Sequence, residues 1–178
     1  ADLDRLERAD GAWSEALAAA GEAGFERRLE EEGALLEAGA ALARPQPSPG
    51  SYNCRVLKLG AAGRGKAFQS YKPFFCYDGV EGDLLAITKQ GGSERPGGYL
   101  WDDRDGSRMI FLGSMALGDE EAPAAYGDNP ERDMAGLFER VGHFRYRLVV
   151  PWPREAAKLI VIELKPAPVQ PEDQASRS

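Results

Sequence analysis

Apolar positions fall into two regimes along the chain. Up to about residue 44 they recur at helical spacing, and from residue 50 they alternate or run continuously in short blocks. In the first regime Leu3, Leu6, Trp13 and Leu17 predict a helix over 2–22, with Asp2 as N-cap and Gly21 and Gly24 closing it. Phe25, Leu29, Leu35 and Leu36 predict a second helix over 25–42, where Arg27 and Arg28 face Glu30 to Glu32 at ion-pair spacing. The short break between them makes an antiparallel hairpin. Its apolar stripe is narrow, so it is expected to dock on a larger body, with Trp13 and Phe25 as anchors.

Residues 44–51, RPQPSPGS, end the helical part, because proline neither continues a helix nor lets its predecessor do so. Strand candidates follow at 52–59, 66–71, 74–79, 84–89, 98–102, 108–117, 134–141, 144–150 and 158–165. The central one, SRMIFLGSMALG, is apolar on both parities, so both of its faces are expected to be covered. Gly113 in its middle predicts a bend, a bulge or a close approach of another backbone. In the run from Phe144 to Val150, Tyr146, Leu148 and Val150 alternate with Arg145 and Arg147, and a hairpin around Gly142-His143 joins it to the preceding strand. Most breaks are short and glycine-rich, which favours an up-and-down antiparallel meander over βαβ crossovers. The expected fold is therefore mostly β, α+β overall: about eight antiparallel strands in a lipocalin-like or streptavidin-like barrel behind an N-terminal helical hairpin. An open sheet packed on the hairpin is the second choice. Three parts result: the hairpin 1–44, a β domain 50–166 and a Pro-rich polar tail 167–178 read as disordered. Trp101, Trp152 and the Phe74-Phe75 pair are expected to fill the core.

Composition changes this picture little. The formal net charge of −7 is concentrated in residues 1–44, which carry −6, and this reads as a solvated helix face. With no clustered Lys and Arg, a nucleic-acid partner is not expected. No apolar run approaches the ~20 residues of a membrane helix. The chain starts at Ala1 rather than Met, which suits a processed start with an export signal removed. Cys54 and Cys76 fall in separate strand candidates, which suits either a bridge or two inert core thiols.

No nucleophile elbow, phosphate loop or zinc-protease motif is present, and the single histidine, His143, falls in a turn. Neither cofactor nor metal is expected. The candidate polar site is Arg95, Asp119, Glu120, Tyr126, Arg132 and Asp133, drawn from two loops. Glycine-rich loops offer N–H groups to anions, and paired carboxylates suit a cation or acid–base work. A structural use of the same residues competes with that. Arg95, Arg132 and Arg140 would then pair with Asp119, Glu120, Asp133 and Glu139 to fix long loops.

The order PGSYNCRVLKLG, FFC, LLAITKQGGSERPGGYL, FLGSMALGDE, YGDNPERDMAGLFERVG, RLVVPWP and KLIVIEL resembles an uncharacterised bacterial family, domain-of-unknown-function family 4893, over roughly residues 50–166. The resemblance implies an exported protein, periplasmic or secreted, and with it a Cys54–Cys76 disulfide. It implies no activity or catalytic residue. The expected function is an exported binding or interaction module of the envelope. Its partner would be a small molecule or another envelope protein, the latter by fold-level analogy with periplasmic inhibitors. The rival is a hydrolase-like enzyme using Asp119, Glu120 and Arg132 on an anionic or glycan-like substrate.

Overall fold

The computed structural model describes residues 2–63, 65–81, 84–89, 94–117, 125–128 and 130–168. Three helices come first: α1 (Asp2–Glu7), α2 (Ala9–Glu22) and α3 (Glu26–Glu32), the last running into a 3-10 turn at Gly33–Leu36. Nine strands follow: β1 (Gly50–Leu59), β2 (Phe68–Ser70), β3 (Phe74–Glu81), β4 (Leu84–Lys89), β5 (Glu94–Asp102), β6 (Arg108–Leu117), β7 (Asp133–Gly142), β8 (Arg145–Pro151) and β9 (Leu159–Pro166). All but β2 form an antiparallel meander, and β9 closes it by pairing with β1 from Leu59↔Leu159 to Tyr52↔Pro166. The result is a closed eight-stranded barrel with β2 as an extra strand on the end of β1. Closure leaves no long edge to aggregate.

The barrel interior holds a core of, among others, Tyr52, Leu100, Phe111, Phe138, Leu148 and Ile162. A second core lies outside the barrel wall. There Leu57, Leu59, Leu137, Val149, Leu159 and Val161 meet Leu6, Trp13, Leu35 and Leu36 from the helical region. Strands β8 and β9 are buried on both faces over most of their length because one face looks into the barrel and the other lies under helices. Each large apolar side chain so buried stabilises the fold by roughly 1.5–3 kcal/mol.

Helix boundaries differ from the sequence reading. The expected helix 2–22 breaks at Arg8, whose carbonyl accepts the Trp152 indole N–H at 3.0 Å. The buried stripe of α2 is Ala9, Ala12, Ala16 and Ala20 around Trp13, while Leu3 is exposed. Alanine lets the helix approach closely: a Cβ on Gly60, beyond β1, would stand 3.1 Å from the Ala16 Cα. The second helix stops at Glu32 rather than 42, because Gly33 turns into the left-handed region at φ 59°. Leu42 is already extended and bridges to Arg140.

Charge locks the helices on. Across β7, β8, β9 and β1 one register row reads Glu139, Arg147, Glu163, Arg55, with signs alternating. Glu32 from α3 takes both terminal nitrogens of Arg55, and that fork holds its carboxyl below the usual range. Arg145 bonds Glu163 through Nε at 2.8 Å. Arg147 is wholly buried. It donates to Glu139 at 3.0 Å and to the carbonyls of Ala34, Leu35, Glu37 and Ala38 at 2.8–3.2 Å, with the Trp13 ring 4.7 Å from its guanidinium. The carbonyls that follow α3 therefore end on a strand side chain. Burial raises the Glu139 pKa against the opposing pull of Arg147. Arg140, expected to pair with carboxylates, instead donates to the Ala43 and Arg44 carbonyls.

Gly113 stands opposite Gly98, and a Cβ on it would lie 2.2 Å from the Gly97 carbonyl oxygen, which is the expected close approach of another backbone. The aromatic expectation fails in part. Phe75 and Trp101 point outward and are exposed, Phe74 is half-buried against the interior core, and Trp152 packs against the helices. Both exposed residues obey the period-2 rule, but on a face the helices do not reach. Phe144 is exposed in the turn preceding β8 rather than part of its inward set. The ladder extends to Ala167, whose N–H bonds the Ser51 carbonyl at 3.0 Å, and residues 169–178 of the expected disordered tail lie outside the described residues.

Cys54 and Cys76 form a disulfide inside the barrel, with their Cα atoms 5.9 Å apart. It staples β1 to β3, a seam of five paired positions from Gly50↔Asp78 to Cys54↔Phe74. The bridged residues are 22 apart. Removing that link, by reduction or as Cys54→Ser with Cys76→Ser, is expected to lower unfolding stability by ~3 kcal/mol. Urea unfolding with and without reductant measures it, and unchanged midpoints would contradict the expectation.

Candidate functional site

The chain crosses one end of the barrel between β8 and β9. Pro151 and Pro153 bracket Trp152, which takes a left-handed φ of 49°, and Trp152 N–H then bonds the Lys158 carbonyl at 2.9 Å. This turn leaves Val150 and Ile160 at the floor of a concavity of about 210 Å³, with Met115 of β6 and Met134 of β7 beside them. Arg5 of α1, Arg132, Asp133, Arg154 and Glu155 stand around it. A second void, under Phe74, Pro96 and Phe111, measures about 10 Å³, room for one water at most.

The rim is tied together through Asp2. Its carboxylate accepts the Tyr126 hydroxyl, takes an Arg154 Nη2 hydrogen bond at 3.3 Å and lies 4.0 Å from Arg5 Nη1. Tyr126 is pushed up to about 12, first by that hydrogen bond to a carboxylate, which the phenolate would lose. Arg154 also donates from Nε to the Asp133 carbonyl at 3.3 Å. Asp133 is buried, and its Oδ1 accepts the Gly127 N–H at 3.0 Å. Glu155 is taken by Lys58 at 2.7 Å.

The six sequence-derived candidates fare unequally. Tyr126, Arg132 and Asp133 come together at this end: the Arg132 carbonyl accepts from Met115 N–H at 3.1 Å, and Asp133 pairs with Ser114. Arg95 is described by its backbone alone, opposite Ala116 on the other side of β6. Asp119 and Glu120 lie outside the described residues. Asp2, Arg5 and Arg154 were missed. Asp2 reads as a helix cap and Arg154 carries no sequence signal, and only barrel closure brings residue 2 to residue 154. The proline bracket around Trp152 was the one signal that the chain turns sharply there.

Among the described residues no group of three or more His, Cys, Asp or Glu is arranged to hold a metal ion. Nor is any described helix long and apolar enough to cross a membrane. A family model described as a domain of unknown function (DUF4893) matches residues 1–164. No curated protein and no solved structure matches the chain.

Proposed function

The chain belongs to the DUF4893 family, and from that premise we propose that it is an exported binding module of the bacterial envelope, whose small-molecule site is the concavity at the barrel end. The observation that carries this reading is the 210 Å³ concavity itself, with an apolar floor of Met115, Met134, Val150 and Ile160 under a ring of charged side chains. A concavity with an apolar floor and a charged rim has the form of a small ligand site. The interior disulfide supports a periplasmic or secreted location, because thiols stay reduced in the cytosol.

A thermal-shift and native-mass screen of small compounds tests the site. Binders should raise the melting temperature of the wild-type protein, and Met134→Trp, which fills the concavity, should abolish the shift. Compounds that act equally on both proteins would move the site elsewhere. A second reading, docking to an envelope protein, draws on Phe75, Tyr77, Tyr99 and Trp101. These exposed aromatics stand on β3 and β5, on a face of the barrel wall not covered by helices.

A further inference from the structure

We propose that the concavity at the barrel end takes a short amphipathic carboxylate, with its oxyanion held by Arg5 and Arg154 and its apolar body seated on Met115, Met134, Val150 and Ile160. This rests on the concavity being a ligand site and adds the class of ligand. Two guanidiniums bring unused donors to its wall. Arg5 and Arg154 both face the concavity, and both lean on a single carboxylate, Asp2. That carboxylate also accepts from Tyr126. Among the described residues Arg5 makes no hydrogen bond. Its one ion pair, at 4.0 Å, is at the limit of a direct contact, although its side chain is only 23% exposed. Arg154 spends Nε on a backbone carbonyl and Nη2 on Asp2, which leaves its Nη1 donors over.

Two guanidiniums sharing one carboxylate leave a set of charged N–H donors at the wall. Three acidic residues also line the concavity, Glu131, Asp133 and Glu155, and of these Glu131 stands exposed on the rim. Glu155 is closed onto Lys58 at 2.7 Å, and Asp133 is buried and already accepts the Gly127 N–H. Guanidinium forks match carboxylate geometry and lose little on desolvation compared with an ammonium. The floor carries no charge. Two methionines there adapt to the shape of an alkyl or branched chain. The concavity is smaller than the ~300–1,000 Å³ that drug-sized ligands occupy, which limits the body to a short chain.

Titration of the full chain with hexanoate, hexanol and hexylamine, read by calorimetry and by ligand-observed NMR, tests the class. Hexanoate should bind best, and Arg5→Gln should weaken it by about tenfold or more, the loss of one charge-assisted contact. Arg5→Lys should restore part of that, and neither change should alter the melting temperature of the free protein. Equal binding of hexanol, or preference for hexylamine, would overturn the carboxylate while leaving the site intact. Failure of all three, when screened binders still depend on Met134, would do the same. If Met134→Trp alters no binding at all, the site itself is wrong.

Discussion

Arg147→Met is expected to destabilise the protein by ~3–5 kcal/mol, the scale for breaking a buried, fully bonded ion pair from one side. The substitution keeps much of the side-chain volume and removes all five hydrogen bonds. Glu139 would be left buried without its cation, and the carbonyls of Ala34, Leu35, Glu37 and Ala38 would lose their donor. The Trp13 ring would lose the guanidinium stacked on it. Because that cluster joins the helices to β8, loosening should begin at the helices. Urea unfolding followed by tryptophan fluorescence and by far-ultraviolet dichroism would then show two separated transitions. Arg147→Lys should recover little, since one ammonium cannot reach acceptors placed for a planar fork. A variant within ~1 kcal/mol of wild type would mean the helices are held by apolar contact alone.

Asp78→Asn is expected to stabilise the protein above neutral pH and to flatten its pH dependence. Asp78 lies on β3 inside the barrel with no exposed surface, and neither carboxylate oxygen has a hydrogen-bond partner among the described residues. Burial pushes its pKa up from 3.8 to about 7. The native state therefore holds this proton more tightly than the unfolded chain does. As pH rises from about 4 to about 7 the unfolded state ionises first, and stability falls by about 4 kcal/mol from this group, then levels off. Glu32 acts with the opposite sign. Its pKa is lowered by Arg55, so its contribution is lost as pH falls. The clean measurement is thus the difference between wild type and Asp78→Asn from pH 4 to 8. That difference should grow with pH in favour of the variant. Parallel curves would show that Asp78 ionises in the folded protein as it does in the unfolded chain, its charge met by a partner or by water.

The nine strand positions, the meander and the barrel class were legible because alternation, short glycine-rich breaks and missing crossover helices are local features. Gly113 was legible for the same reason: only a glycine tolerates a backbone that close. The candidate site was half legible. Tyr126, Arg132 and Asp133 lie near one another in sequence and stay together, whereas Asp2, Arg5 and Arg154 arrive from the two far ends of the chain.

By itself, then, the sequence determined which segments are strands, which residues share a face and that the sheet had to hide its edges. It left undecided what covers each face. Arg147 alternates with apolar neighbours as a solvent-facing residue would, and Trp101 reads as core. The structure exchanges their fates. Helices lie over β7, β8, β9 and β1 and not over β5, so the arginine is buried and the tryptophan exposed. The physical reason is that burying a charge depends on acceptors, and those for Arg147 come from more than a hundred residues away in the chain. Alternation records only that a strand has two faces. Which face is dry depends on the partner that packs there, and tertiary structure alone supplies it.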